Sequence, residues 1–464
     1  MIDSYCCLRR IHPRQLGKKL LTLALGVVSA ALAVHAQPAA TAQADETQAK
    51  LQLTLLEAKK LALQQSPTLA QAKARIDAAA ARAAEAKSSY WPTLDVSFGI
   101  TRNHDRATRP LRDYDDNTKY DLGLSASWLL FDGFQRRFSL LIAEFDHAAA
   151  LSANTDAQRL LLQAVSSAFY SAILAQDSMG IAKEDAEFNR MLHADARRRQ
   201  EGGIATASEV LNFQLQVANA EVDYIAAEKS WRAAIIILGE LLAITQDDIW
   251  EYIQLTPPDE KLIQQPVKLA DLLDYARQHR PDLAIAQNRI NAAQTGIKAA
   301  RSTWSPKLRL FADYGYERVD SLHFNKNYDR NVSFGLAASW NLFEGFKTTA
   351  LLNQAEAELA AAIEAKKELE LAIETTVRRN FLALDTCRHQ LALQENILAT
   401  AKQIRDLVYQ EYLGGATTIT RLNEAQTDVT ISAAARSQAY IQVFHSLELL
   451  GASTGRILLL ETEE

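Results

Sequence analysis

The chain has 464 residues, a formal net charge of -6 and 48% hydrophobic residues, but only 17 glycines, 10 prolines and 3 cysteines. The acidic balance, with no basic run interleaved with aromatics, argues against nucleic acid as a partner. Three scattered cysteines build neither a disulfide framework nor a metal cluster, and an alanine-rich, glycine-poor chain suits long helices better than a compact α/β enzyme.

At the N-terminus Arg14, Lys18 and Lys19 precede an apolar run from Leu20 to Val34 and the small-residue site Val34-His35-Ala36. That is the pattern of a secretory signal peptide, predicted over residues 1–36. Cys6 and Cys7 would leave with it, so Cys387 stands alone in the mature chain. Residues 37–52, rich in Gln, Ala and Thr, are predicted to be disordered.

A helical stretch follows from Leu53 to Ser89, interrupted at Ser66-Pro67, with Pro67 in a first turn where its missing N–H costs nothing. Tyr90, Trp91 and Pro92 end it and begin a strand predicted at about 93–101, in which Leu94, Val96, Phe98 and Ile100 alternate with Asp95, Ser97, Gly99 and Thr101. After a polar loop at 103–119 comes a second strand at about 120–131. Tyr120, Leu122, Leu124, Ala126, Trp128 and Leu130 share one face; Asp121, Gly123, Ser125 and Ser127 share the other. Such alternation over about ten residues is what a membrane-spanning β-strand needs, although one segment alone would also fit a half-buried strand of a soluble sandwich.

From Phe134 to about Gln200 there is no proline and a single glycine, Gly180. At 1.5 Å per residue this predicts a helix about 100 Å long, wider than any globular core, which must be shared or wound into a bundle. Gly202-Gly203 breaks it, and a return helix runs from about Ser208 to Leu238. Residues 239–267, holding Pro257, Pro258 and Pro266, read as an irregular linker.

The plan then repeats, making residues 53–238 one repeat and 268–451 a second, with a tail at 452–464. Pro67-Thr68-Leu69-Ala70 becomes Pro281-Asp282-Leu283-Ala284, and Ser88 through Pro92 becomes Ser302 through Pro306. Strands are predicted again at about 307–316 and 332–343. In the latter, Val332, Phe334, Leu336, Ala338 and Trp340 face one way, about 212 positions after their counterparts (332 − 120). Phe131-Asp132-Gly133-Phe134 becomes Phe343-Glu344-Gly345-Phe346, and a second long helix turns at Gly414-Gly415. Within that helix Leu352, Ala355, Leu359, Ala362, Leu369 and Ile373 form a seam at coiled-coil spacing.

Four strands are too few to close a barrel, and an open sheet edge cannot sit in lipid. The barrel must therefore be shared. Two copies give eight strands and a lumen filled by side chains; three give twelve, the first count with room for solute. Leu122, Leu124, Trp128, Phe334, Leu336 and Trp340 are the predicted lipid-facing residues.

Over about Leu53 to Gly451 this duplicated strand–strand–long-helix plan, with its Pro92 and Pro306 strand starts and its Gly203 and Gly415 turns, resembles the TolC family of outer-membrane efflux and type I secretion proteins. The resemblance implies a mainly α fold with a membrane β-barrel: a homotrimer sharing a twelve-stranded barrel and an α-helical coiled-coil tunnel closed at its periplasmic tip. It implies an outer-membrane channel-tunnel with a periplasmic extension, exporting small molecules or proteins. The partners implied are outer-membrane lipid, a periplasmic membrane-fusion adaptor and an inner-membrane transporter of RND or ABC type. It places adaptor docking at Gly202, Gly203, Ile204, Gly414 and Gly415, and a gate at Ser208, Glu209, Tyr412, Thr417, Arg421 and Glu424.

The family's hydroxyl–acid–apolar group after the glycine is met by Ser208, Glu209 and Val210. The second copy departs, with Thr420, Arg421 and Leu422 in those places, Glu424 at the next acidic position, and Thr417 where the type member has a gate-bridging arginine. Acid in one copy and base in the other predict Glu209–Arg421 bridges instead of an acidic ring. No catalytic, cofactor-binding or metal site is expected, since HExxH, phosphate-cradling and nucleophile-elbow motifs are missing from the sequence. The competing reading is a non-channel surface or periplasmic coiled-coil scaffold, against which the tryptophan-bordered apolar bands argue.

Overall fold

A computed structural model describes residues 51–105, 115–244, 248–264, 266–324 and 329–461. The predicted signal peptide and residues 37–50 of the predicted disordered lead lie outside the described residues. In chain order the elements are β1 (Leu51–Leu53), α1 (Leu55–Gln65), α2 (Pro67–Ser88), β2 (Thr93–Asp105), β3 (Asp115–Phe131), α3 (Gln135–Glu201), α4 (Ala207–Leu241), α5 (Ile249–Tyr252) and β4 (Ile253–Leu255). They continue as α6 (Leu269–His279), α7 (Pro281–Ser302), β5 (Lys307–Val319), β6 (Arg330–Ser339), α8 (Lys347–Leu413) and α9 (Ile419–Thr454). Short 3₁₀ turns lie at Glu260–Gln264 and Arg456–Glu461.

The local causes are readable. Thr54 and Glu57 form a reciprocal capping box that starts α1, and proline occupies the first turn of α2 and of α7. α3 and α8 each run 67 residues, about 100 Å at 1.5 Å per residue. Neither has a proline to break it, and each stops at a glycine.

Four strands form one antiparallel sheet in the order β2-β3-β5-β6. All four reach beyond the sequence reading at their loop ends, β6 beginning at Arg330 instead of 332. β2 and β3 stay paired out to Asp105 and Asp115, and β5 continues to Val319. Alternation marks only where one face meets an apolar phase, whereas a backbone ladder propagates through polar residues as well. At its other end β6 is the opposite case. It ends at Ser339, short of the predicted 343, because β5 begins at Lys307, opposite Ser339, and offers no further partner.

Three segments read as irregular are ordered. Leu51–Leu53 pairs in parallel with Ile253–Leu255, bringing the end of the predicted disordered lead against the predicted linker, with Leu53, Ile253 and Leu255 buried. The return helices do not close at Gly239 and Gly451; α4 runs on to Leu241 and α9 to Thr454. Gly239 serves packing instead, since a Cβ there would lie 2.4 Å from Ile249 Cδ1. Beyond α9, in the predicted tail, Ile457 is buried against Leu162 and Ala452.

The largest core gathers Phe169, Tyr170, Ile235, Leu238, Val377, Leu384, Tyr440 and Phe444 from the middles of α3 and α8 and the C-terminal parts of α4 and α9. The seam residues of α8 lie inward, with Ala355 and Ile373 buried. A buried Lys59 anchors α1 to this core through Glu448 at 2.6 Å, whose carboxylate also accepts from Ser166 at 3.2 Å.

Candidate functional site

Two regions carry the functional geometry: the sheet and the two helical turns. The strand register decides what each face of the sheet is. Val96 stands opposite Leu124 and Leu124 opposite Tyr314; Phe98, Leu122 and Tyr316 make the adjoining row, and Leu310 lies between Trp128 and Leu336. An apolar band thus crosses all four strands without a break. It is open within the chain, with Val96 75%, Phe334 83% and Leu336 64% exposed. The reverse face, which also carries Leu129, Arg309 and Phe311, is mainly small and polar: Asp95 stands opposite Ser125, Ser125 opposite Asp313, and Asp313 opposite Ser333, whose hydroxyl donates to it at 3.1 Å. Among the described residues, no helix is long and apolar enough to cross a membrane.

The repeat holds in three dimensions. Trp128 Nε1 donates to the Tyr90 carbonyl and Trp340 Nε1 to the Trp304 carbonyl, both at 2.9 Å. Each indole therefore satisfies its polar edge on the backbone just before a strand while its ring borders the apolar band. The strand-to-helix turns match as well: Phe131–Phe134 and Phe343–Phe346 are edge-to-face pairs at 5.7 and 5.6 Å. Only the first joint has a guanidinium rivet. Arg136 pairs with Asp132 at 3.0 Å and donates to the Leu129 carbonyl at 2.6 Å, whereas Thr348 stands in the corresponding place of α8.

At the far ends of α3 and α8 the chain reverses through two identical motifs. Gly203 has φ +75° and Gly415 φ +72°. Ile204 N–H reaches back to the Arg199 carbonyl and Ala416 N–H to the Glu411 carbonyl, both at 2.8 Å, closing a Schellman motif at each turn. A Cβ at either glycine would meet open space, so backbone conformation, not crowding, requires glycine there. Gly202 and Gly414 stay in the helical region, and Ile204 is 73% exposed. Thr206 and Thr418 then cap α4 and α9 by accepting the backbone N–H of Glu209 and Arg421. Ser208 shares a hydrogen bond with the Thr206 hydroxyl at 3.0 Å.

Glu209 therefore sits where a capping-box glutamate folds back onto its own helix, yet its carboxylate accepts the Tyr412 hydroxyl across from the second hairpin. Tyr412 is 6% exposed and packs edge-to-face on Phe213 at 6.1 Å; burial first, and then the bond to Glu209, push its phenol well above the ordinary tyrosine range. Arg421 pairs with Glu424 at 3.2 Å on its own helix, so within one chain the two charges expected to bridge take other partners. Thr417 is half-buried. Four residues at the tips went unread in the sequence. Tyr409 donates to Asp195 at 3.1 Å, Arg199 lies 4.9 Å over the Tyr412 ring, and Phe188 packs on Tyr409 at 6.2 Å. Their one sequence signal is the pair of tyrosines three residues apart at the end of α8.

A four-stranded sheet with one apolar and one polar face, carried on two helical hairpins each built on a 67-residue helix, defines a channel-forming protein of the outer membrane. The chain belongs to the outer membrane efflux protein family, whose model matches residues 58–243 and 272–456. It is 28% identical over 344 residues to Protein CyaE of Bordetella pertussis, covering 74% of this chain and 72% of that one. It is 26% identical over 415 residues to the outer membrane efflux protein BepC of Brucella suis, covering 88% and 87%. Among solved structures it is similar to the Campylobacter jejuni CmeC outer membrane channel, with a TM-score of 0.74 at 17% identity, covering 86% of this chain and 85% of that one.

Proposed function

We propose that three copies of this chain share a twelve-stranded barrel in the outer membrane and extend it as an α-helical duct, through which a periplasmic adaptor and an inner-membrane transporter pass their cargo. The observation that carries this reading is the sheet. Its apolar band suits lipid and its polar face suits a lumen, while among the described residues β2 and β6 each have one strand partner. An edge of that kind is tolerated in a bilayer only when another strand pairs with it. A neighbouring copy supplies β6 to β2, and the ring closes.

The helices support the same closure. Leu211, Leu215, Val222 and Ile225 are exposed along α4. Leu371, Leu382, Leu393 and Ile404 are exposed along α8 at steps of eleven residues (382 − 371, 393 − 382, 404 − 393), a period that holds them to one stripe of a nearly straight helix. Between α8 and α9, a groove of about 610 Å³ is lined by Leu393, Ile397, Ile404 and Ile431. Two different apolar faces on one chain fit a head-to-tail interface, which generates a closed ring.

At the tips, Gly202, Gly203, Ile204, Gly414 and Gly415 form the adaptor-facing end. The Tyr412–Glu209 bond, flanked by Ser208 and Thr417, holds the two hairpins of each copy together in the closed state. Arg421 and Glu424, with side chains 51% and 58% exposed, face the neighbouring copy. The relatives' names span a pyoverdine export outer membrane protein and an alkaline protease secretion protein, so the cargo is a small molecule or a protein.

Purified protein added to planar bilayers is expected to give discrete, uniform conductance steps. A preparation that partitions into detergent and still passes no current would return the chain to the scaffold reading.

A further inference from the structure

The joint where β3 passes into α3 holds a cavity of about 350 Å³ at the border of the apolar band, in the size range of small-ligand sites. Tyr90, Trp128, Phe131 and Phe134 line it, together with Arg136 and Arg137. A register shift between Leu129 and Phe131 sets Phe131 opposite Leu308, while Trp128 stands opposite Leu310, so both rings lie on the apolar side of the sheet. We propose that this cavity binds the phosphate of a glycerophospholipid in the periplasm-facing leaflet, held by Arg137, with the acyl chains lying along the apolar band. The proposal rests on the membrane-barrel reading given above and gives that barrel a defined lipid site.

The two arginines have different tasks. Arg136 is committed to the protein: it pairs with Asp132 at 3.0 Å and donates to the carbonyls of Leu129 at 2.6 Å, Leu130 at 3.2 Å and Ser89 at 3.3 Å. Asp132, which is buried, is neutralised by that pair. Arg137 is exposed and makes no side-chain hydrogen bond or ion pair among the described residues. The cavity is therefore left with the uncompensated charge of Arg137, three residues along α3 from the exposed Phe134 and on the same helix face. At the edge of a bilayer the anion within reach is a lipid phosphate, which a guanidinium binds through two parallel N–H bonds.

The site is complete within one chain. β3 lies between β2 and β5, and α3 packs on α2, which leads into β2, and on α7, which leads into β5. A ring of copies joined at β2 and β6 leaves this joint uncovered. The matching cavity of the second repeat, at the start of α8, holds about 100 Å³ and stands beside the edge strand β6. Thr348 and Thr349 occupy the places of Arg136 and Arg137 there, and the lining charges Glu344 and Lys347 cancel. The repeat thus supplies two aromatic joints but one basic cavity.

The test is native mass spectrometry of the assembled, delipidated channel mixed with phosphatidylglycerol, with particle mass, thermal unfolding and bilayer conductance as controls. One bound lipid per chain is expected. Arg137→Gln should weaken binding about tenfold, the scale of one hydrogen bond to a charged group, with the unfolding temperature unchanged because Arg137 holds no partner in the protein. Lys347→Gln, at the second joint, should leave binding as it was. On the unaltered chain, diacylglycerol with the same acyl chains should bind more weakly, and glycerol phosphate should not displace the lipid. If Arg137→Gln binds as tightly as the unaltered chain, or Lys347→Gln weakens binding equally, the inference fails. If diacylglycerol binds as well as phosphatidylglycerol, the phosphate is not recognised and the inference fails too. Complete displacement by glycerol phosphate would make the cavity a site for free phosphate and overturn the lipid assignment. A particle that conducts but retains no phosphatidylglycerol would overturn this site and leave the barrel standing; one that neither conducts nor takes up lipid would overturn the barrel reading and the site with it.

Discussion

Leu124→Arg is expected to cost roughly 2–4 kcal/mol of barrel stability, the scale for a cationic side chain placed near the middle of a lipid-facing strand. Leu124 lies between Val96 and Tyr314 in the apolar band, so no carboxylate stands directly opposite to receive the new charge. Ser125→Arg, one residue on, is expected to be tolerated. It turns to the polar face and stands opposite Asp95 on one side and Asp313 on the other. Unfolding by urea in lipid vesicles, with the amount of assembled outer-membrane protein in cells, measures both. Equal damage from the two changes would mean that the faces of the sheet are assigned the wrong way round.

Gly415→Val is expected to abolish export while leaving the particle assembled in the membrane. At φ +72° an ordinary L-residue carries about 1–2 kcal/mol of strain, and a β-branched one more. Nothing packs on this position, so the turn relaxes locally by moving Ala416 and its neighbours, and the core behind it is spared. The proposed cost is therefore to the surface that meets the adaptor. Gly415→Asn, which tolerates positive φ, should keep most export. Adaptor cross-linking in cells, read beside particle mass, separates the outcomes: a variant that fails to assemble would make the turn structural and remove its docking role.

Much of this was legible because the signals are periodic. Alternation along Leu122, Leu124 and Trp128 gave the apolar face, and the offset between the copies gave the four strands and two hairpins. Gly203 and Gly415 marked the turns because a helix that must reverse announces itself by positive φ. Three kinds of feature stayed hidden. Ladders that continue through polar residues, as at Asp105 and Asp115, carry no hydrophobic signal. Gly239 looked like a helix end, because a glycine with Ile249 packed closely against it reads the same in sequence as a cap. The third is long-range pairing. Glu209 satisfies a local capping pattern, and only the folded chain shows its carboxylate turned to Tyr412, 203 positions away. Tyr409 and Asp195 are 214 positions apart, and no local pattern joins them.

The central claim is that one chain supplies a third of a barrel. The mass of the intact particle, measured in a gentle detergent or by native mass spectrometry after release from micelles, tests it most directly. Three chains per particle is the predicted result. A single chain, or two, that still conducts in a bilayer would contradict it, because the sheet would then have to close its β2 and β6 edges with fewer than twelve strands.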